Sequence, residues 1–433
     1  MIRRQLIPQP QPEGSTPHAP AADDQGELAT DFSSRRGSRA LLRDLNVSLL
    51  IELVRRAGRI SRAELARRSS LSAPTVSTIV ENLVTRGIFK EVAIAPSSGG
   101  RPPVLVSMDP KAGYIIGIKL RADGLTTVIC DLEARVVASR EIEVALVGDP
   151  AVTIRAIEQE TRRILHDAVI PDSKVLGVGI GAPITVDTST GICTFSNLLS
   201  WRNVDLAGPL GERLGFPVWV ENDVNTLAVA EKWAGDATNA RDFVALSIGS
   251  GVGLGIVIDR SLYRGADGAA GEFGHVIVKP GGARCKCGAL GCLEALVGED
   301  ALRRSVGEQL GRNVSRNELI ELAESGDAVA LEVLSEAGQI LGLAVANMMT
   351  LLNPELLIIC GEGTRLGASF LDPVVAAVRE LMFANLGKKV EVKVQRWGDE
   401  AWAVGAATLV LRELFSIPNI DAKSNAIWHR INA

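Results

Sequence analysis

The sequence predicts two folded parts of different class: a small α+β module of three short helices and a two-stranded hairpin, then a large α/β body. Three observations carry this. At 433 residues the chain exceeds what one ordinary hydrophobic core holds. From about residue 40 to 107 apolar residues recur at helical spacing, whereas beyond Gly99-Gly100-Arg101-Pro102-Pro103 β-rich runs alternate with helical stretches. Charge is divided as well: residues 35–107 carry thirteen Lys and Arg against five Asp and Glu, a net of +8 in a chain of net −5. A basic module on an acidic body fits one polyanion-binding part, although a solvated Arg-rich surface would look the same.

The elements follow in order. Residues 1–37, rich in Pro, Ala, Asp, Ser and Gln without a hydrophobic period, are expected to be a disordered tail. Residues 38–109 form the small module and 110–433 the body. Val47, Leu50, Ile51 and Val54 make one apolar helix face. Ser61-Arg62-Ala63-Glu64 has the capping-box form and starts a second helix to about Arg68. After a turn at Ser69–Ser72, a third helix from Ala73 to about Arg86 buries Val76, Ile79, Val80, Leu83 and Val84. Its first turns carry small or polar residues, Pro74, Thr75, Ser77 and Thr78, as a helix reading base edges requires. Ile88–Ala95 and Pro103–Met108 then read as a two-stranded wing, with Arg101 on its Gly-rich tip suited to a phosphate or a narrow minor groove. Helix order, turn length, wing and charge together predict a winged helix-turn-helix that contacts double-stranded DNA through Ser61, Ser72, Ala73, Pro74, Thr75, Ser77, Thr78 and Arg101. A three-helix protein-interaction module is the alternative.

Bulk properties exclude other classes. Hydrophobic residues make up 46% and charged residues 22%, ordinary for a soluble globular protein. No unbroken apolar run reaches the roughly 18–20 residues that cross a bilayer, and the N-terminus lacks a secretory apolar stretch, so a cytoplasmic location without membrane contact is expected. Of six cysteines, Cys285, Cys287 and Cys292 lie together, which in a cytosolic protein favours metal over disulfide chemistry.

The body carries five ordered motifs. Cys285-Lys-Cys-Gly-Ala-Leu-Gly-Cys-Leu-Glu294 has the form CxCGxxGCxE, and Gly268-Ala-Ala-Gly-Glu272-Phe-Gly-His275 precedes it. Glu221-Asn222-Asp223-Val-Asn225, Gly249-Ser-Gly251-Val-Gly253 and Asn353-Pro354-Glu355 complete the set. In these motifs, and in the winged helix ahead of them, the chain from about residue 46 onward resembles the ROK family of repressors and sugar kinases. The resemblance implies a two-lobed, actin-like ATPase or ribonuclease-H-like body with a zinc loop. It places Asn222, Asp223, Glu272, His275 and Glu294 around a sugar, and Asp223 at the position of the kinases' catalytic base. Read as residues alone, Asn222 or Asp223 could simply cap the helix that follows. His275, Cys285, Cys287 and Cys292 supply four ligands for a tetrahedral, structural Zn²⁺, and the second ring nitrogen of His275 remains for a sugar hydroxyl.

Two departures separate the chain from the kinases it resembles. Their first strand and turn carry a D-x-G-G-T-like loop for the metal–nucleotide, whereas here Lys119 replaces the acidic residue and Arg121 falls among the glycines. A lysine cannot bind Mg²⁺, and an Arg obstructs backbone approach to phosphate, so no catalytic residue and no useful kinase activity are expected. Where relatives read P-G-x-V the chain has Pro183-Ile184-Thr185-Val186, so the sugar cannot be copied from them. Lys119 and Arg121 also allow a phosphosugar effector. The expected function is that of a sugar-responsive repressor acting as a homodimer or homotetramer. An active kinase with an appended DNA-binding module and a sugar-binding interaction protein are the competitors. The apolar run Gln339–Leu352 is expected to be buried, at a subunit interface or in the core.

Overall fold

The computed structural model describes residues 39–92, 104–187, 190–395 and 398–415. The expected tail at 1–37 and the wing tip with Arg101 lie outside the described residues.

The small module runs α1 (Arg39–Ala57), β1 (Ile60–Ser61), α2 (Arg62–Ser69), α3 (Ala73–Thr85), β2 (Phe89–Val92) and β3 (Leu105–Met108). Each helix starts and stops for a local reason. Ser61 Oγ accepts from Glu64 N at 3.2 Å, but the Glu64 carboxylate turns to Arg67 and Arg68 instead of back to the cap, so the predicted capping box is half formed. Ser72 caps α3 by accepting from Thr75 N, and Pro74 sits in the first turn, where a missing N–H costs nothing. Gly87, at φ 72°, supplies the left-handed turn into β2. β2 pairs antiparallel with β3, Phe89 opposite Met108 and Val92 opposite Leu105, giving the expected wing. Arg62 bridges Glu81 on α3 (3.1 Å) and Glu91 on β2 (3.0 Å), tying the wing to the helix beside it.

The body is built twice on one plan. The first lobe comprises β4 (Tyr114–Leu120), β5 (Gly124–Cys130), β6 (Val136–Glu143), α4 (Pro150–Asp167), β7 (Val175–Ala182), β8 (Thr185–Asp187), β9 (Ile192–Ser196), β10 (Trp201–Val204), α5 (Ala207–Leu214) and β11 (Val218–Asn222). The second comprises α6 (Asp223–Ala234), β12 (Phe243–Ile248), β13 (Val252–Ile258), β14 (Ser261–Leu262), α7 (Glu294–Val297), α8 (Glu299–Leu310), α9 (Arg316–Ser325), α10 (Ala328–Leu352), β15 (Leu356–Cys360), α11 (Ala368–Leu381), β16 (Glu391–Val394) and α12 (Asp399–Phe415). The main sheets have orders β11-β7-β4-β5-β6 and β14-β13-β12-β15-β16. In each, an antiparallel meander of three strands continues through two parallel strands. The central strands β4, β7, β12 and β15 are buried along almost their whole length, as parallel strands covered on both faces must be.

α12 crosses back from the second lobe to lie on the first sheet. It packs close because β4 and β7 present Gly117 and Gly179: a Cβ on either would overlap the carbonyl oxygen of Ala403 or Ala406. Replacing Gly179 with Ala is expected to destabilise the chain by about 1–3 kcal/mol. Scanning calorimetry should register a Tm lower by several degrees, and an unchanged Tm would refute this close packing.

The hydrophobic cores do not follow the expected division at residue 109. Leu50, Ile51, Val54, Leu65, Val76 and Val80 of the small module share one buried cluster with Ile115, Val128, Leu176, Val410, Leu411 and Leu414 of the body. Val84, expected to be buried, is half-buried at its edge, as is Val47 of the apolar face of α1. α10, which contains the run Gln339–Leu352, is long and apolar enough by length and composition to cross a membrane, unlike any unbroken apolar stretch. Val333, Leu334, Leu341, Val345 and Met349 place it instead in the core of the second lobe, where Gly338 and Gly342 admit α11. Leu343 and Leu351 on its other side are exposed.

Candidate ligand site and nucleic-acid interface

The carboxyl ends of β4, β7 and β11 and the start of α6 form one wall of a cleft. Asn222 closes β11 and caps α6: its Oδ1 accepts from Val224 N (2.9 Å) and Asn225 N (3.1 Å), while Nδ2 donates to Ile184 O (3.1 Å). The capping role readable from the residues alone is therefore real, and it anchors Asn222 beside Ile184. Asp223, the first residue of α6, accepts from Val224 N at 2.9 Å through Oδ1, and its Oδ2 pairs with the ammonium of Lys119. Lys119, next to last in β4, is 9% exposed and lies 4.2 Å above the Trp402 ring of α12. Behind them Glu221, 5% exposed, accepts from Asn222 N, Asn225 Nδ2 and Arg264 Nε, the last at 2.7 Å.

The opposite wall comes from the second lobe. Glu272 and His275 flank a single 3-10 turn, Phe273–His275, with His275 Nε2 3.8 Å from Glu272 Oε2. The surrounding protein raises the Glu272 carboxyl above its ordinary pKa; Asp223 and Glu294 add to the rise and His275 opposes it. Glu294 opens α7 and accepts from Val252 N at 3.2 Å, reaching the turn between β12 and β13. Thus Asp223, His275 and Glu294 all lie close enough to Glu272 to act on its carboxyl, with Asn222 adjoining Asp223 in the chain. Lys119 pairs with Asp223 from inside the site, whereas the Arg121 guanidinium lies along the sheet edge toward Glu141 (2.7 Å), Asp123 (3.3 Å) and Thr126 (3.0 Å).

Behind His275 the chain makes a compact loop held by bridges Ile277–Cys292 and Arg284–Leu290. It brings His275, Cys285, Cys287 and Cys292 together, one ligand atom from each within 4.8 Å of all the others. Cys287 and Cys292 Sγ lie 3.7 Å apart, and Cys285 Sγ lies 3.5 Å from His275 Nδ1. A tetrahedral zinc with ordinary bond lengths would set these separations at about 3.8 Å and about 3.6 Å. The cluster can therefore hold a metal, with Nδ1 as the imidazole ligand, which leaves Nε2 facing Glu272. Burial pushes the Cys292 thiol up to about 12, while the backbone N–H of Ala289 holds Cys287 below its ordinary value.

In the small module, Ser72, Ala73, Pro74 and Thr78 are exposed at the start of α3, while Thr75 and Ser77 are half-buried. Ser72 and Thr75 hydroxyls bond each other at 2.7 Å, Thr78 Oγ1 donates to Pro74 O at 3.0 Å, and Ser61 is spent on capping α2. No acidic residue stands in the first turn of α3, so its positive end is open to an anion.

A family model described as "ROK family" matches residues 115–413, more than half of the chain. The chain belongs to the ROK family. A second model, described as "Winged helix-turn-helix DNA-binding", matches residues 43–90. This ROK chain is 30% identical to the xylose repressor of Bacillus subtilis over 372 residues, covering 86% of this chain and 96% of the relative. It is 27% identical to the N-acetylglucosamine repressor, the transcriptional dual regulator NagC, of Escherichia coli over 399 residues, covering 88% and 95%. A solved ROK transcriptional regulator, a homologue of the E. coli Mlc protein, superposes with a TM-score of 0.78 at 24% identity, over 90% of this chain and 99% of that one. The fold is thus a winged helix-turn-helix followed by the two-lobed, actin-like body of ROK proteins, as the sequence predicts.

Trp402 and Arg264 are the site residues that sequence reasoning misses. Neither lies in a motif, and Trp402 reaches Lys119 only because α12 folds back across the first sheet. The glycines that admit α12 were the only hint of that crossing.

Proposed function

We propose that this ROK protein is a sugar-responsive transcriptional repressor of carbohydrate uptake or catabolism genes. The observation that carries this is the Lys119–Asp223 pair. Asp223 stands where a ROK kinase would hold its base, yet a buried ammonium seated on Trp402 neutralises it. A carboxylate so held can orient a sugar hydroxyl, and the lysine that holds it stands in place of the acidic residue a kinase would use for its metal–nucleotide. The cleft keeps groups for a polyol and lacks those for phosphoryl transfer. The names of the two relatives support a repressor, and their different sugars keep the effector of this chain open.

In this reading the exposed start of α3 and the wing read DNA, and two copies meet a near-palindromic operator as a homodimer or within a homotetramer in the cytoplasm. The His275, Cys285, Cys287 and Cys292 cluster holds a structural zinc ion that stiffens the loop carrying His275 and Glu294. Sugar closure of the cleft is passed to the module along two rigid paths. One runs from Lys119 through Trp402 to α12, which shares a core with α1. The other is α6 itself, about 18 Å long, with Asp223 at its start and Trp233 in its last turn. Arg55 of α1 lies 4.1 Å from the Trp233 ring centre and donates to its carbonyl at 3.4 Å.

The test is fluorescence anisotropy with DNA from upstream of this protein's own gene against scrambled DNA, at fixed salt. Specific binding that a sugar weakens is expected. ATP-dependent phosphorylation of any sugar, lost in Asp223→Asn, would instead establish a kinase. Binding that ignores sequence and disappears at moderate salt would favour a module that contacts protein.

A further inference from the structure

We infer that the cleft takes a neutral, unphosphorylated sugar and discriminates against the same sugar carrying a phosphate; this rests on the reading of the chain as a sugar sensor. The two cations that could have welcomed a phosphate are engaged elsewhere. Lys119 is paired with Asp223 and seated on Trp402. Arg121 donates to Glu141, Thr126 and Asp123 on the outer side of the turn after β4. A third cation, Arg264, is held by buried Glu221 at 2.7 Å.

The glycine turn between β12 and β13 is closed to anions for a second reason. Two of its amides are already taken, Val252 N by Glu294 at 3.2 Å and Gly249 N by Gly251 O at 2.9 Å. Glu294 Oε2 lies 2.9 Å from where a Cβ of Gly251 would stand, and the Glu362 carboxylate overlaps the corresponding position of Gly249. Anionic side chains thus occupy the space through which backbone amides would approach a phosphate. The cleft and this turn together hold the carboxylates of Asp223, Glu272, Glu294 and Glu362 against the one buried ammonium of Lys119. A phosphate bringing about two negative charges would add to that excess in a partly desolvated site. A neutral sugar meets the same groups favourably: its hydroxyls donate to the carboxylates, and its oxygens accept from the remaining N–H of Lys119.

The experiment is isothermal titration calorimetry on the full chain without DNA. The probes are glucose, mannose, N-acetylglucosamine and xylose, each set against its 1-phosphate and, for the hexoses, its 6-phosphate. One parent sugar is expected to bind at least tenfold more tightly than either of its phosphates. In D223N, where the ammonium loses its counter-charge, that ratio is expected to shrink at least tenfold. K119M is expected to widen it, which keeps the argument testable if D223N does not fold. A phosphosugar that binds the native chain as tightly as its parent overturns the inference and leaves the sensor reading standing. A ratio unmoved in both variants overturns the charge argument. Heat from neither class overturns the sensor reading itself, and this inference with it.

Discussion

Cys292→Ser is expected to remove the metal and the response to sugar together. Cys292 is the most deeply buried ligand of its cluster, at 0% exposure, and pairs across the loop with Ile277. Its neighbours in sequence matter as much as its sulfur: Glu294 follows two residues later, and His275 at the loop's other end stands beside Glu272. Two acidic groups of the proposed sugar site therefore hang on the ends of one metal-held loop. Three thiols gathered beside an imidazole need a cation to hold them as thiolates, since burial and the neighbouring Cys287 and Cys285 together drive Cys292 up to about 12. Elemental analysis is expected to find about one zinc per native chain and roughly a tenth of that in Cys292→Ser. Sugar affinity should fall by about 100-fold or more, an effect of the size that loss of a structural metal produces. Cys287→Ser, at the exposed rim, should retain more metal and more affinity. Acidification should release the ion, because the ligands must be deprotonated to bind it. Full sugar response in zinc-free Cys292→Ser would show that the loop stands without metal.

Arg55→Ala is expected to leave both bindings nearly intact and to weaken the link between them. Among the described residues, Arg55 makes no hydrogen bond or ion pair to the start of α3 or to Asp223; its guanidinium is stacked on Trp233 and bonded to Glu52 at 2.7 Å. Effector and operator are coupled by a free energy, usually about 1–3 kcal/mol, equivalent to a change in affinity of about 5–150-fold. Cutting the contact between α6 and α1 should reduce that factor severalfold, leaving what the α12 path carries. Sugar affinity without DNA, and operator affinity without sugar, should change less than about fivefold. Trp233→Ala should behave alike, and Arg55→Lys, which restores a cation over the ring, should recover part of the coupling. An unaltered sugar response in Arg55→Ala would assign the signal to the Lys119–Trp402–α12 path instead.

The small module and the metal cluster were legible because their signals are local. Val47 to Val54, the Ser61 and Ser72 caps and the paired wing strands each act over a short span of chain, and three of the four candidate metal ligands fall within eight positions. The doubled α/β plan was legible through family motifs more than through period, since strands buried on both faces have no alternation to read. What stayed hidden depends on distant segments meeting. Lys119 was read as the loss of a metal-binding acid; that it neutralises Asp223, 104 positions away, needs the β4 and β11 ends to be neighbours across β7. Asn222 presented two roles that its type alone could not rank, and the structure uses its Oδ1 for the cap. The expected border at residue 109 followed a real change of pattern, yet burial ignores it, because hydrophobic contact takes no account of chain order.

That shared core binds the two ends of the chain to one fate. The head, α1, starts at Arg39, and the helix that completes its hydrophobic floor, α12, ends at Phe415. A head transplanted alone onto a foreign body would arrive with that floor missing, so exchange of reading heads among such proteins has to carry the far terminus along. A shortened C-terminus, for its part, is a lesion of the N-terminal module. Heating should melt head and body as one unit, in a single calorimetric transition.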